Sequence, residues 1–374
     1  MIMFYFFASH LEMLWGPFRL MDSHLVLMTI GTLFAGWSSW FFIWRWRRCL
    51  PKDRGRAHTH TSAASVGKPT GAGFLMALVL VPVCLLVVPM SFKMLGAIDC
   101  LVLAMFTGFL DDRSHLPWGE YRKGMLDLIV AVLGTLVLCE NHSMILWLPF
   151  VKGSFVVTPW LFVPFGSVLL WFSINATNCS DGVDGLAGSL TLLSLFTLGG
   201  ILYGVVGHAK IAAYLLVPHN PEGAAWAVLV FTASGGLAGY LWHNAEPSRI
   251  LMGDAGSRYL GLLVGMAVLV SGNPFLILVV APMVLLNGGL GLVKLVLLRG
   301  LRGLGATTDC GPDEKDVVAR GQAIIIHWLG NVRFPLHDHC RKNLGWSNAQ
   351  VLMRFLLLQI FLTPIFMILF LKVR

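Results

Sequence analysis

From Leu95 to Leu110 the chain reads Leu-Gly-Ala-Ile-Asp-Cys-Leu-Val-Leu-Ala-Met-Phe-Thr-Gly-Phe-Leu, and it then stops on Asp111-Asp112. Leu101–Leu110 carries no charge and none of the period-two alternation of a barrel strand, so it reads as a helix in lipid rather than a strand of an outer-membrane barrel. Nine further apolar runs follow the same logic: Leu25–Trp44, Ala72–Ser91, Met125–Leu138, Trp160–Asn175, Gly185–Val206, Ala224–His243, Ser257–Ser271, Phe275–Leu298 and Val351–Leu371. A span needs about 20 apolar residues, and these ten segments predict an all-α integral membrane bundle of about ten transmembrane helices.

Composition points the same way. Of 374 residues, 56% are hydrophobic and only 12% charged, with a mean hydropathy of +0.75. This excludes a disordered chain, a secreted disulfide scaffold and a compact soluble domain. The seven cysteines are scattered without a CxxC pair and read as small buried hydrophobes. The apolar start, Met1–Trp15, lacks a basic flank and a small-residue cleavage site, so a removable signal is not expected.

A net charge of +8 would suit nucleic acid, but it sorts by membrane side instead. Alternating the loops groups Arg45, Arg47, Arg48, Lys52, Arg54, Arg56, Lys68, Arg113, Arg122, Lys123 and Arg249 with seven more basic residues in 299–342. Arg19, Lys93, Lys152, Lys210, Lys372 and Arg374 fall opposite. The positive-inside rule makes the first group cytoplasmic and puts both termini outside. The long polar stretches 45–71 and 299–350 then become cytoplasmic loops of a single domain covering 1–374, with 1–24 an apolar N-terminal segment.

Nineteen acidic residues are few, yet five of them abut predicted helix ends on that one side: Asp111, Asp112, Asp181, Asp184 and Asp254. Asp111 and Asp112 follow a helix C-terminus, where the macrodipole disfavours negative charge by up to about 1 kcal/mol. Adjacent carboxylates repel as well, and a divalent cation or a basic neighbour is the usual reason to keep them together. Asn175-Ala-Thr-Asn-Cys-Ser-Asp-Gly-Val-Asp-Gly-Leu-Ala-Gly188 precedes an apolar helix. Ser180 or Asp181 would cap that helix, but capping leaves the second Asp, two Asn and the glycines unexplained. Such a turn is suited to a phosphate, a base or a metal-bound anion. Met252-Gly-Asp-Ala-Gly-Ser257 repeats the pattern, with Asp254 between glycines and Ser257 as a cap. His337-Asp-His339, in the last cytoplasmic loop, would make a zinc corner only with a second pair such as His58-Thr-His60 or with Cys340. Beside Arg333, Arg341 and Lys342 it reads better as an anion contact.

Together these motifs resemble the polyprenyl-phosphate N-acetylhexosamine-1-phosphate transferases. The residues that carry the likeness are Gly67-Lys-Pro-Thr-Gly-Ala-Gly73, Gly108-Phe-Leu-Asp-Asp112, Asn175–Ala187, Pro247-Ser-Arg-Ile-Leu-Met-Gly-Asp-Ala-Gly-Ser257 and Pro335-Leu-His-Asp-His339. Gly345-Trp346 and Arg354-Phe355 continue the pattern, and this late segment favours the branch that handles phospho-N-acetylmuramoyl-pentapeptide. The chain departs from the family at Lys68 in place of Thr, at Asp338 inside the triple histidine, at Ser65 or Val66 in place of lysine, and at Leu251 in place of an aromatic that stacks on uracil.

The resemblance implies that UDP-MurNAc-pentapeptide and undecaprenyl phosphate give lipid I and UMP with Mg²⁺, the first membrane step of peptidoglycan synthesis, in the bacterial inner membrane. It implies Asp111, Asp112, Asp184 and Asp254 as catalytic residues, with Asp254 the metal ligand. Substrate contacts would come from Thr70, Lys123, Asn178, Asp181, Gly182, His337 and His339. A homodimer and membrane lipids are the implied partners, and nucleic acid is not among them. Two rivals remain at this level: a sister transferase using UDP-GlcNAc or another UDP-HexNAc, and an ion-coupled transporter. The transporter reading rests on Asp127, Lys294 and Arg354, charges in or at the ends of predicted spans.

Overall fold

The computed structural model describes residues 16–55, 65–116, 118–140, 142–303 and 332–372. The apolar Met1–Trp15, the pair His58 and His60, Arg56 and Cys310 lie outside the described residues.

Each of the ten apolar runs is helical. In chain order come α1 (His24–Trp46), α2 (Ala72–Val87), α3 (Phe92–Arg113), α4 (Glu120–Cys139), α5 (Pro159–Ser180), α6 (Leu186–Ile201), α7 (Ala209–Tyr214), α8 (Gly223–Asn244) and α9 (Gly253–Val270). The ninth run breaks into α10 (Leu276–Val280) and a helix interrupted by a π-helical turn at Leu285–Gly289, with α11 (Pro282–Val284) before it and α12 (Leu290–Gly303) after it. The chain closes with α13 (Leu336–Asn343) and α14 (Asn348–Met367). Eight helices among the described residues are long and apolar enough to cross a membrane. Two of the ten expected segments fall short of that standard: α2 has 16 residues, and α4 begins with Glu120, Arg122, Lys123 and Asp127. The protein is a multi-pass helical membrane protein.

All of α9 is buried, between α3 and α5. It can sit there because Gly261 and Gly265 face α5: a Cβ at Gly261 would lie 2.7 Å from the Ile174 Cα. In a lipid solvent small residues at a crossing gain close packing that hydrophobicity cannot supply. The outer helices do the opposite, and α1 turns Leu33, Trp37, Trp40, Phe41 and Trp44 outward. An unexpected hairpin, β1 (Met144–Trp147) with β2 (Ser154–Val157), packs at the end of the bundle where α9 finishes, and Trp147 donates its indole N–H to the Ser271 carbonyl at 2.9 Å.

Three local expectations are corrected. The expected caps of α6, Ser180 and Asp181, instead end α5, so Asn175–Ser180 are helical, and α6 starts after Gly185, whose φ is +76°. Ser257 lies inside α9, not before it. His337-Asp-His339 lies in α13 rather than a loop, and residues 299–303 continue α12. The C-terminal ends of α1, α3, α5 and α8 share one end of the bundle with the starts of α2, α4, α6, α9 and α14, and every acidic motif lies there.

Candidate active site

Gly108 and Asp112 stand four residues apart on one face of α3. The glycine lets α3 touch the first turn of α9, where a Cβ would collide with the Asp254 carbonyl. Asp112 thereby reaches the end of α9: its two carboxylate oxygens accept the amides of Asp254 and Ala255, each at 3.0 Å. Gly253 begins that turn with φ +71°, and its missing side chain leaves room for the same carboxylate. The charge that the C-terminus of α3 disfavours is thus held by the positive N-terminus of α9.

Asp111 is held by different partners. It pairs with Lys123 of α4 and accepts the Trp118 amide at 3.0 Å. Lys123 also donates to Asp254 at 2.9 Å, which joins three helices through one ammonium. Arg258, one turn beyond Asp254 and wholly buried, donates to Asp254 at 3.1 Å and to Asp127 of α4 at 3.1 Å. Arg258 Nε and the second oxygen of Asp127 are buried without a partner among the described residues.

Three carboxylates, Asp111, Asp127 and Asp254, thus meet two cations, Lys123 and Arg258, and with Asp112 on the adjoining amides the cluster has a formal charge of −2. One divalent cation would balance it, and the donors are the hard oxygens that Mg²⁺ prefers. No three His, Cys, Asp or Glu side chains among the described residues converge as a cage.

Beside this cluster opens a cavity of about 230 Å³, walled by Lys68, Thr70, Asp181, Gly182, Asp184 and Leu251 among others. Gly253 lines it as well, so the cavity abuts the start of α9. Its shape is held by hydrogen bonds between loops: Asp184 accepts the Ser248 amide at 3.0 Å and lies 3.7 Å from the Lys68 ammonium, which donates to the Ser248 hydroxyl at 3.0 Å. Asn244 accepts the Gly185 amide at 2.8 Å. Asn178 stays on α5 and accepts from the Ser257 hydroxyl at 3.1 Å.

The two histidines separate. A helix turns 100° per residue, so positions i and i+2 face nearly opposite ways, and the convergence a loop would allow is lost. His337 is buried against Gly182, with its Nδ1–H and its backbone amide both given to the Asn287 side-chain oxygen at 3.1 and 2.9 Å. Burial lowers its pKa to about 4, with Arg341 adding to the effect and Asp338 opposing it. His337 is therefore neutral at pH 7 and, with Nδ1–H given to Asn287, leaves Nε2 as an acceptor. His339 accepts the Arg333 amide at 3.3 Å and does not line the cavity. Arg333, Arg341 and Lys342 line a second, basic cavity of about 720 Å³, which meets the first at Asn348.

Sequence reasoning missed Arg258. An arginine inside an otherwise apolar helix needs a partner, and its position four residues after Asp254 named one. Asn287 gave no such signal.

The profile described as Glycosyl transferase family 4 matches residues 94–272, which hold α3 to α9 and with them Asp111, Asp112, Asp181, Asp184 and Asp254. The phospho-N-acetylmuramoyl-pentapeptide-transferase of Treponema pallidum (strain Nichols) is 44% identical, over 95% of this chain and 92% of its own. The chain belongs to the phospho-N-acetylmuramoyl-pentapeptide-transferase family. Other members are more distant: that of Nautilia profundicola is 28% identical over 73% of each chain, and that of Nitratidesulfovibrio vulgaris (strain DP4) is 35% identical over 47% of this chain and 51% of its own. Membership in this transferase family removes the ground for the transporter, and its three charges have local partners. Asp127 pairs with Arg258, Lys294 donates to the Val332 carbonyl at 2.7 Å, and Arg354 stacks on Trp346 at 4.2 Å.

Proposed function

We propose that this chain transfers phospho-N-acetylmuramoyl-pentapeptide from its UDP-activated form to undecaprenyl phosphate, giving lipid I and UMP, in a bacterial inner membrane with the acidic end facing the cytoplasm. A phosphate oxygen of the lipid bonds to the sugar-bearing phosphorus. The bond from that phosphorus to the oxygen bridging it to UMP breaks, and the electron pair leaves with UMP. The observation that carries this reading is Gly253, which belongs both to the cavity wall and to the turn capped by Asp112. A diphosphate in the cavity would therefore lie next to Asp254.

The cavity's Lys68, Thr70, Asp181, Gly182 and Asp184 would hold the nucleotide part, with Leu251 replacing the stacking aromatic. The basic cavity at Arg333, Arg341 and Lys342 suits the carboxylates of a peptide. Asp254, with Asp111 beside it, would hold Mg²⁺, which when bound supplies charge neutralisation between two anionic reactants. Asp111, beside Lys123 and Asp254, would serve as the base for the lipid phosphate, while Asp112 holds the first turn of α9. Lys123 bridges Asp111 and Asp254 and holds the two carboxylates in line.

The purified chain should be offered UDP-MurNAc-pentapeptide and UDP-GlcNAc separately with radiolabelled polyprenyl phosphate. Labelled product from the muramoyl substrate alone is expected. Product from UDP-GlcNAc alone would hand the chain to the sister branch.

A further inference from the structure

A separate cavity of about 490 Å³ opens at the acidic end of the bundle between α1 and α8, walled by Trp40, Trp44, Trp242, His243, Pro247 and Arg249. Pro247 also lines the cavity at Asp184, so the segment Ala245–Arg249 is a partition between the two. The three indoles are 39%, 44% and 74% exposed, high for tryptophan, and they lie where two membrane-spanning helices finish. Tryptophan in that position marks the headgroup level of a bilayer.

Two guanidinium groups are set among these rings. Arg47 lies 3.6 Å above the Trp44 ring and Arg249 5.6 Å from it. Neither arginine forms an ion pair with a described carboxylate. The arrangement is otherwise fixed: His243 stacks on Trp40 and Trp44 at 6.4 and 5.9 Å and donates to the Trp40 carbonyl at 2.9 Å, and the Arg249 amide donates to the His243 carbonyl at 2.9 Å.

An unpaired cationic pair attracts an anion, and exposed indoles in a membrane attract an apolar body. A free phosphate uses only the first feature and a neutral headgroup only the second. We propose that this cavity binds the headgroup of an anionic glycerophospholipid, with the phosphate between Arg47 and Arg249 and the acyl chains along the lipid-facing sides of α1 and α8. The partition at Pro247 separates this lipid from Asp254, so it is a resident lipid and not the reacting one.

The test is competitive retention by the full-length chain in detergent, read by native mass spectrometry, with phosphatidylglycerol and phosphatidylcholine of equal chain length. Each arginine is expected to favour phosphatidylglycerol by about fivefold. The preference should disappear in Arg47→Gln/Arg249→Gln and persist in Arg47→Lys/Arg249→Lys. Millimolar inorganic phosphate should not displace the lipid. Equal retention of the two lipids by the unsubstituted chain would overturn the proposal, and so would displacement by inorganic phosphate. Full phosphatidylglycerol preference in the glutamine variant, or polyprenyl phosphate displacing phosphatidylglycerol at equal concentration, would overturn it as well.

Discussion

At the acidic cluster, each carboxylate is held by a charge or an amide from another helix: Asp112 by the first turn of α9, and Asp111 and Asp254 by Lys123 of α4, with Arg258 adding a bond to Asp254 from within α9. At the cavity wall, Asp184 is held by one loop amide and a lysine 3.7 Å away, and Asp181 and Gly182 sit in a turn between helices. Membrane helices build the first region and connecting segments build the second. On the proposed function, the contrast puts chemistry that must not move at the cluster and substrate recognition at the cavity. The departures from the family pattern at Lys68 and Leu251 fall in the cavity wall.

The strongest way to break this division is Asp254→Asn. It leaves Lys123 and Arg258 under-compensated and removes the proposed Mg²⁺ ligand, so lipid I formation should fall by about 10³-fold or more. Size-exclusion chromatography should still give a folded protein, and near-normal turnover would remove Asp254 from the chemistry.

Next comes Arg258→Met, which strands Asp127 in a dry interior and should cost roughly 3–5 kcal/mol of stability. Adding Asp127→Asn should return most of it in thermal unfolding. If the double variant is no more stable than the single, the two residues do not act as a pair.

His337 is next in size. Its folded pKa, about 4, lies below the ordinary value of 6.5, so between these values the unfolded chain binds more protons. Stability is full above pH 6.5 and declines by roughly 3 kcal/mol as pH falls to 4. His337→Asn should flatten that slope in unfolding curves taken across the window. An unchanged slope would assign the protonation to another group.

The smallest effect concerns the cavity alone. Leu251→Phe should restore a stacking face and lower KM for the nucleotide sugar several-fold, about 1 kcal/mol, with kcat unchanged. A change in kcat without KM would blur the line between the two regions.

How much of this was legible in the sequence differs between the same two regions. The helices were visible because each is a long apolar run. The acids at their ends stood out because a chain with 19 acidic residues had spent five of them there. Convergence was not visible, because it depends on glycines: Gly108 and Gly253 read as motif letters until the helices are packed and their missing side chains become the space Asp112 needs. Arg258 was overlooked although Asp254 stands one turn before it; its other partner, Asp127, sits on another helix, 131 residues away in the sequence. The His motif was misread because the short helix α13 begins after Pro335 without a side-chain cap to announce it. Its Gly345-Trp346 and Arg354-Phe355 continuation is architectural: Arg354 stacks on Trp346, and Phe355 is buried at the foot of α14.

The central claim is that cluster and cavity are one site joined at Gly253. Electron–nuclear double resonance on the protein loaded with Mn²⁺ in place of Mg²⁺ tests it directly, using UDP-MurNAc-pentapeptide as the source of phosphorus. The account predicts a phosphorus coupling to the bound ion that disappears in Asp254→Asn. An ion that binds with no phosphorus coupling, while substrate is demonstrably bound, would contradict it.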